Sequence, residues 1–231
     1  MADILLQGTP DWHRARLGYF SGSRIYDLLG KPKTKDAQFS QTALSYIYEV
    51  MGERLLSPDF VGNDAEFGEW LRITHRTSFE MDWGHEWEGP AKLDYIIKTK
   101  REITETESIK HKTIEWFSAS PDGLVLDGFD IEGVVEVKCP QLKNLSKYFT
   151  EINDNETLKK VNPQYYYQVQ AEYMVTGAQW ADFIVYHPHT RPKIKCVRIL
   201  PDIEAQELIT EKVTLANQYI QEQISKLQDN G

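Results

Sequence analysis

Two carboxylates and one lysine lie close together in the segment SASPDGLVLDGFDIEGVVEVKCP, residues 118–140. Asp122 lies at the start of one predicted strand, and Glu136 and Lys138 lie on the next strand, after the turn residues Asp127-Gly128. Side chains along a strand alternate between its two faces, so Glu136 and Lys138 share one face. Because a hairpin brings the Asp122 end of the first strand alongside Glu136, the sequence predicts that the three ionisable side chains converge.

This cluster is suited to metal-assisted hydrolysis of a phosphodiester. Two carboxylates with backbone carbonyls and water suit Mg²⁺, which prefers oxygen ligands and keeps part of its hydration shell. A lysine beside them can orient or deprotonate a water, or offset the charge that grows on a phosphate. On spacing alone, the alternative is a hairpin with a solvated acidic edge and a simple Glu-Lys pair. Other Pro-Asp pairs occur, but only Pro121-Asp122 is followed by an acidic residue, one spacer and a lysine on an apolar strand.

Apolar residues recur with the period of helices in some segments and of strands in others. The first predicted helix ends near Leu29 and could be capped by a serine of Ser21-Gly22-Ser23. Further helices are predicted over residues 43–55, 84–98 and 163–176, and a long C-terminal helix is predicted from about residue 202. Strands are predicted over residues 103–109, 115–119, 124–126, 134–138, 180–186 and 193–200. We therefore expect an α/β fold in one domain over residues 1–231, with a central mixed β-sheet flanked by α-helices. Glu88 borders the buried face of the helix over residues 84–98.

Composition limits the classes of function. The 231-residue chain has a net charge of −9, which argues against a protein that coats nucleic acid by bulk attraction. A nuclease remains compatible with this charge, because its carboxylates hold a metal that supplies positive charge at the phosphate. Cys139 and Cys196 are too few for a disulfide framework or a cysteine-based zinc site, and we expect both to be reduced and buried. The sequence lacks a signal-peptide pattern and a membrane-length apolar run, so a cytoplasmic location without a membrane partner is expected.

The order Pro-Asp, then Glu-x-Lys, with a glutamate on a preceding helix and a glutamine on a following one, resembles the PD-(D/E)xK nuclease superfamily. More closely, the chain resembles the phage lambda exonuclease family. Five ordered blocks carry this resemblance: DWHRARLGYFSGS (11–23), WGHEWEGPAKLDY (83–95), SPDGL (120–124), EVKCP (136–140) and YYQVQAEYMVTG (166–177). The resemblance extends from about residue 5 to beyond residue 200. It implies a restriction-endonuclease-like fold and a PD-(D/E)xK nuclease domain.

The resemblance also implies a catalytic set, which comprises Glu88, Asp122, Glu136, Lys138 and Gln168. Asp122 and Glu136 are expected to bind the metal with the carbonyl of Val137, and Lys138 is expected to assist the attacking water. Glu88 would complete the acidic site, and Gln168 would support it by holding Lys138 or water. The expected cofactor is Mg²⁺, with Mn²⁺ as a substitute.

Three further residues match positions that surround the terminal 5′-phosphate of DNA in the family. Arg16, Ser23 and Ser120 offer a guanidinium fork and hydroxyl donors, which suit a doubly charged end group. Taken alone, Arg16 could be a surface arginine and Ser23 an ordinary helix cap.

The implied activity is a 5′-to-3′ exonuclease on double-stranded DNA that starts at 5′-phosphorylated ends. It releases 5′-mononucleotides and leaves 3′ single-stranded tails for recombination by strand annealing. The resemblance also implies a ring-shaped homotrimer and a single-strand annealing protein as partner. It further implies a phage or prophage origin in a bacterial cell. The rival hypotheses are a structure-specific or restriction-type endonuclease and a catalytically silent DNA-end-binding module. The chain departs from the family by a shorter segment before Trp12 and by extra residues around 57–76, which bear on the DNA entrance and the subunit contacts.

Three other patterns have two interpretations each. His187-Pro188-His189 is more typical of a turn than of a metal site, because no third ligand is near in sequence. Tyr165, Tyr166 and Tyr167 are more typical of packing than of base stacking. The lysines at positions 31, 33 and 35 fit a DNA-backbone contact and a solvated loop equally well.

Overall fold

The computed structural model describes residues 8–34, 36–75 and 78–229. Its helices are α1 Pro10–Arg16, α2 Gln41–Arg54, α3 Pro58–Gly62, α4 Asp64–Thr74, α5 Phe79–Thr99, α6 Leu142–Glu151, α7 Asn155–Val161, α8 Pro163–Thr176 and α9 Ile203–Asp229, with a 3₁₀ helix at Gly22–Leu28. Its strands are β1 Phe20–Ser21, β2 Ile109–Lys110, β3 Phe117–Ala119, β4 Gly123–Asp127, β5 Asp130–Lys138, β6 Trp180–Tyr186 and β7 Ile194–Ile199. The predicted α/β class, with mixed sheets flanked by helices, is confirmed. Predictions that involve residues 1–7, Lys35, Arg76 and the last two residues lie outside the described residues.

The strands form two sheets, whereas the sequence predicted one central sheet. The larger sheet has the order β4-β5-β6-β7, in which β5 and β6 are parallel and the outer pairs are antiparallel. The smaller sheet has the order β1-β3-β2. β3 ends at Ala119 and β4 begins at Gly123, so Ser120, Pro121 and Asp122 connect the two sheets. Proline has no N–H to donate to a ladder, which suits a break between sheets at this position.

The hairpin of β4 and β5 positions the ionisable cluster. Gly128, with φ of +63°, lies in the turn between the strands, where a left-handed backbone favours glycine. The register pairs Gly123 with Val135, so Asp122 lies just beyond the end of β4 beside Glu136 and Val137. Gly123 is packed tightly, because a Cβ at this position would collide with the side chain of Ile103. A side chain larger than hydrogen at Gly123 would therefore push against Ile103 and disturb the start of β4, next to Asp122.

The two faces of the larger sheet are covered by different helices. On one face, Val135 and Val137 pack with Ile184 against Ala91 and Tyr95 of α5. The hydroxyl of Tyr95 donates a hydrogen bond to Asp182 Oδ2 on β6 at 2.7 Å, which anchors α5 to the sheet. The period of two therefore turns Glu136 and Lys138 to the opposite face, toward α8.

Helix α8 covers that opposite face. Its residues Val169 and Tyr173 pack with Val134 and Phe183 of the sheet in a second apolar cluster. The helix begins after Asn162, whose side chain accepts a hydrogen bond from Tyr165 N at 3.2 Å. The sheet thus lies between α5 and α8, so each helix can present polar residues to the end of the β4–β5 hairpin.

Several predicted element boundaries are wrong. The helix expected over residues 84–98 begins earlier, at Phe79, because Ser78 caps it by accepting from Met81 N at 3.3 Å. The helix expected after Ser21-Gly22-Ser23 is a 3₁₀ helix, and no serine side chain caps it. The strand expected over residues 103–109 is reduced to one bridge at Thr104 and the short strand β2. This segment pairs with its neighbours only near its two ends.

Five helices lie where no element was predicted: α3 and α4 in the extra segment around residues 57–76, α6 and α7 between β5 and α8, and α1 before β1. Each of the first two is capped by a polar side chain, Ser57 for α3 and Asn63 for α4. The long C-terminal helix α9 begins at Ile203. Within the described ranges, no helix combines the length and the apolar character that a membrane crossing requires.

Candidate active site

Asp122, Glu136 and Lys138 lie together at the end of the β4–β5 hairpin. Val137 N donates a hydrogen bond to Asp122 Oδ2 at 2.7 Å, which fixes the aspartate against β5. Lys138 Nζ forms an ion pair with Glu136 Oε1, and Glu136 is completely buried. The lysine ammonium also lies 4.8 Å from the centre of the Tyr165 ring. Lys138 is therefore held in one place by an anion and an aromatic face.

Gln168 of α8 is in direct contact with this cluster. Its Nε2 donates to Glu136 Oε1 at 2.6 Å, and the side chain is almost completely buried. Glu136 Oε1 thus accepts from both Lys138 and Gln168, whereas Glu136 Oε2 is buried and has no hydrogen-bond partner among the described residues. The sequence left open whether Gln168 holds Lys138 or a water. In the structure the residue that it holds is Glu136.

Glu88 approaches the same site from α5. Its Oε1 forms an ion pair with Lys92 Nζ, one helical turn further on, at 2.6 Å. Glu88 lines a cleft of about 540 Å³ together with Asp122, Val137 and Lys138. The cleft walls also include side chains of α5, of α6 and of the segment that precedes α6: Met81, His85, Gln141, Lys143 and Asn144. Helix α6, which the sequence did not predict, therefore supplies part of the wall opposite α5.

Burial and neighbouring charges shift two pKa values in the site. Burial, the negative charge of Glu136 and, more weakly, that of Glu88 raise the pKa of Asp122 well above its usual value. Burial alone would lower the pKa of Lys138, but the carboxylates of Glu136 and Asp122 outweigh it and raise this pKa. The lysine is thus a stable cation, and the carboxylates are crowded enough that a further cation would relieve their repulsion.

A divalent metal fits this donor set. The donors are oxygen atoms, and the unpartnered Glu136 Oε2 is a buried acceptor that a cation would satisfy. Over the described ranges, no group of three or more His, Cys, Asp or Glu side chains is placed to hold a metal ion. Asp122 and Glu136 would therefore need other ligands, such as the Val137 carbonyl, water or a substrate phosphate. Mg²⁺ commonly binds in this way, with one or two carboxylates and several waters.

Arg16 lies at the end of α1, with its guanidinium 4.0 Å from the centre of the Trp12 ring. Burial lowers its pKa, and the charges of Tyr46 and Glu53 partly offset this effect. In the described part of the chain, Arg16 forms no salt bridge, whereas Arg14 on the same helix pairs with Asp64 at 2.6 Å. Arg16 is therefore a partly buried cation whose charge is not neutralised by a direct carboxylate contact.

The serines of the predicted end pocket lie on neighbouring segments. Ser23 is exposed, and its Oγ is 3.4 Å from Ser21 Oγ. β1 pairs in parallel with β3, which aligns Ser21 with Ser118. The hydroxyls of Ser118 and Ser120 are both buried without a hydrogen-bond partner among the described residues. Ser120 is two residues from Asp122, so it links the smaller sheet to the cleft.

The sequence did not predict a role for Glu172, which is nearly fully buried beside the site. Its Oε1 is 3.3 Å from Gln168 Nε2, and its Oε2 has no partner within the described ranges. Burial, and then the charge of Glu136, raise the pKa of Glu172 well above its usual value. The sequence signal that could have indicated a role for Glu172 is its position four residues after Gln168, which places both residues on the same face of α8.

The other histidine, tyrosine, lysine and cysteine residues considered in the sequence differ in burial and in their neighbours. His187 is buried, with its ring 5.5 Å from that of Trp83, and His189 is exposed after it. Tyr165 lines the cleft, whereas Tyr166 is buried in the cluster beneath α8. Lys31 and Lys33 are exposed. Cys139 and Cys196 are free thiols that are only partly buried, so the expectation of full burial is wrong.

Comparisons with known proteins bear on the family and the fold of the chain. A family model described as the YqaJ-like viral recombinase domain matches residues 11–179. A crystal structure of an alkaline exonuclease (LHK-Exo) from Laribacter hongkongensis is 28% identical, with a TM-score of 0.74, and the match covers 96% of this chain and 97% of that one. A structure of LHK-Exo in complex with dAMP is 29% identical over the same shares of the two chains, also with a TM-score of 0.74.

A phage-related exonuclease from Haemophilus somnus 129PT is 18% identical, with a TM-score of 0.63 over 90% of this chain and 96% of that one, which shows similarity of fold. No curated protein sequence matches the chain. The fold is restriction-endonuclease-like, as predicted.

Proposed function

Because the chain belongs to the family of the YqaJ-like viral recombinase domain, we propose that it is a phage-type exonuclease that acts on double-stranded DNA. The proposed enzyme depends on Mg²⁺, or on Mn²⁺ as a substitute, and starts at 5′-phosphorylated ends. It removes 5′-mononucleotides in the 5′-to-3′ direction and leaves a 3′ single-stranded tail. The single nuclease domain spans residues 1–231 in this proposal.

One observation carries the chemical part of the proposal. Asp122 and Lys138 line a cleft, with Lys138 paired to the completely buried Glu136 and Asp122 fixed by the N–H of Val137. An arrangement that served only to stabilise the fold would have no need of a cleft or of a buried, unpartnered Glu136 Oε2. The alkaline exonuclease of Laribacter hongkongensis, with a TM-score of 0.74, supports exonuclease chemistry at this site.

The residues divide the work of phosphodiester hydrolysis among them. A metal held by Asp122, Glu136 and the Val137 carbonyl would polarise the phosphoryl oxygen and make a water more acidic. Lys138, whose raised pKa keeps it protonated, orients the attacking water and offsets charge that grows on the phosphate. Gln168 holds Glu136 by Oε1, so that Oε2 would remain available as a ligand for the metal, and Glu88 adds negative charge from α5.

Arg16, Ser23 and Ser120 form the proposed pocket for the terminal 5′-phosphate. Arg16 is partly buried and free of a salt bridge among the described residues, so its charge is available to a ligand. The buried, unpartnered hydroxyl of Ser120 gives a donor two residues from Asp122. A phosphate held there would place a nearby phosphodiester in the cleft, which couples end recognition to cleavage.

The products and partners belong to the same proposal. The complex of LHK-Exo with dAMP, a deoxynucleoside monophosphate, supports release of mononucleotides. The family, described as a viral recombinase domain, supports a role in recombination, in which a single-strand annealing protein would bind the 3′ tail. A ring-shaped homotrimer that encloses the DNA, in the cytoplasm of a bacterial cell that carries a phage or prophage, completes the proposal.

A digestion assay separates this function from its rivals. Linear duplex with a 5′-phosphate, the same duplex with a 5′-hydroxyl, and covalently closed circular duplex are each incubated with Mg²⁺. The proposal predicts rapid loss of the phosphorylated duplex, slower loss of the hydroxyl duplex and an intact circle. Nicked or linearised circles would indicate an endonuclease. If neither Mg²⁺ nor Mn²⁺ supports nucleotide release, the chain is a DNA-end-binding module.

A further inference from the structure

Glu172 is a buried carboxyl group that the proposed chemistry does not use. It lies on α8, is 1% exposed and makes no salt bridge among the described residues. Its Oε1 contacts Gln168 Nε2 at 3.3 Å, and its Oε2 is buried without a hydrogen-bond partner in the described part of the chain. Buried carboxyl groups in such a position destabilise a fold unless another interaction compensates. Glu172 is next to the site, so its role is sought there.

The Gln168 amide connects Glu172 to the site. Its single nitrogen carries two N–H groups, and the two nearest acceptors are Glu136 Oε1 at 2.6 Å and Glu172 Oε1 at 3.3 Å. The observed orientation makes both contacts, whereas a flipped amide would lose both of them and place its oxygen against Glu136 Oε1. Without Glu172, only Glu136 would favour the observed orientation. A flipped Gln168 would then repel Glu136 Oε1 instead of holding it.

We propose that Glu172 is a positioning residue that acts through Gln168. It fixes the orientation of the amide, and the amide together with Lys138 holds Glu136 by Oε1, which leaves Oε2 free to bind the metal. This inference rests on the proposed function in one respect, the assignment of Glu136 as a metal ligand. Outer partners that orient a ligating carboxylate typically change metal affinity or activity by about 10–100-fold when they are removed.

Two substitutions at Glu172 separate this role from plain packing. Glu172→Gln keeps an oxygen that can accept from Gln168, and Glu172→Met keeps the length of the side chain without an acceptor. Glu172→Ala is the second acceptor-free variant and serves if the methionine variant does not fold. Gln170→Leu is the matched control, because Gln170 is a buried residue of α8 that binds Leu200 O and Asp202 N, away from the cluster.

Metal binding is measured first, by calorimetry with Ca²⁺ and by the rise in Tm that Ca²⁺ produces, since these readouts do not require catalysis. Steady-state cleavage of phosphorylated duplex with Mg²⁺ then gives kcat and KM. We expect Glu172→Met or Glu172→Ala to weaken metal binding by about 10–100-fold and to lower kcat with KM for DNA nearly unchanged. Glu172→Gln should behave like the wild type, and Gln170→Leu should lower Tm without a change in metal affinity.

A double-mutant cycle with Gln168→Met completes the test. If Glu172 acts through Gln168, the loss of metal affinity in the double variant should equal that of Gln168→Met alone. The proposal is overturned if the two losses add, if Glu172→Met binds metal as the wild type does, or if Glu172→Gln is impaired as much as Glu172→Met. A wild type that binds metal but leaves DNA intact would overturn the proposed function and leave the positioning role standing.

Discussion

At the residue scale, the site depends on how the two oxygens of Glu136 are used. Oε1 accepts from Lys138 and from Gln168, whereas Oε2 is buried without a partner among the described residues. Lys138 is therefore fixed by the same carboxylate that is assigned to the metal. In the proposed mechanism this arrangement would place a cation with little freedom of movement beside the reacting phosphate.

We predict that Lys138→Ala abolishes cleavage and preserves DNA binding. The lysine stabilises charge that develops in the transition state, so its loss should lower the rate of the cleavage step by about 100-fold or more, as when one electrostatic donor is removed. Single-turnover cleavage of a 5′-labelled duplex and binding of the same duplex in Ca²⁺ give the two quantities. Cleavage near the wild-type rate would remove Lys138 from the mechanism.

We predict that Arg16→Ala reduces the preference for phosphorylated over hydroxyl 5′ ends. A charge-assisted hydrogen bond contributes about 1.5–3 kcal/mol, so the ratio of the two rates should fall by about 10-fold or more. Arg14→Ala is the matched control on α1, because Arg14 already pairs with Asp11 and Asp64. An unchanged ratio in Arg16→Ala, or an equal fall in Arg14→Ala, would contradict the end pocket.

At the element scale, the β4–β5 hairpin carries the residues proposed to be reactive, and α5 and α8 cover opposite faces of the sheet. The sequence predicted the hairpin because alternation along β5 and the turn residues Asp127-Gly128 are local signals. It missed α6, a helix in which only two side chains, Leu145 and Tyr148, are buried. It also missed Glu172, because only the fold shows that this carboxyl group is buried beside Gln168.

The division of the strands into two sheets could not be predicted from local sequence patterns either. β1 and β3 are nearly a hundred residues apart in the chain, and β1 has only two residues. Their pairing is set by the packing of the apolar cluster that contains Phe20 and Phe117, which no periodicity within either segment indicates. The positions of Ser21 and Ser118 near the proposed end pocket follow from that pairing.

Helix α6 yields a prediction about DNA binding. Lys143 lines the cleft, whereas Lys147, one turn further along the same helix, does not line it and is exposed. If Lys143 contacts a phosphate of the substrate strand, Lys143→Ala should weaken binding and reduce the slope of log affinity against log salt by about 1. Lys147→Ala is the control and should leave the slope nearly unchanged. Equal slopes for Lys143→Ala and the wild type would exclude α6 from the interface.

The contact between α1 and the end of α4 yields a prediction about pH. The rings of His13 and His75 lie 4.8 Å apart, and burial, then His75 and Arg16, lower the pKa of His13 from 6.5 to about 4. The folded state therefore binds this proton more weakly than the unfolded state, so stability is lost as pH falls from about 6.5 toward 4. For a partly exposed group we expect a loss of about 1 kcal/mol by pH 5.

Thermal unfolding at pH 7.5 and pH 5 measures this effect. His13→Gln should be less stable than the wild type at pH 7.5, because a ring contact is lost, but its stability should depend less on pH over this range. The same pH dependence in both proteins would assign the effect to other groups.

At the scale of the whole molecule, the net charge of −9 means that DNA is not attracted by the surface at large. DNA binding by the proposed enzyme would then come from local cations, such as Lys138 and Lys143 in the cleft and Arg16 at the end of α1. This distribution favours an enzyme that engages a DNA end at a defined place over one that binds anywhere along the duplex.

The identity of the first product tests the central claim most directly. A linear duplex that carries a labelled 5′-phosphate is incubated with the enzyme and Mg²⁺, and the labelled products are separated by thin-layer chromatography. We predict that the label appears first as a deoxynucleoside 5′-monophosphate, that chelation of the metal stops its release, and that Lys138→Ala releases none. Label that appears first in longer oligonucleotides, or mononucleotide release that persists in the chelator or in Lys138→Ala, would contradict the account.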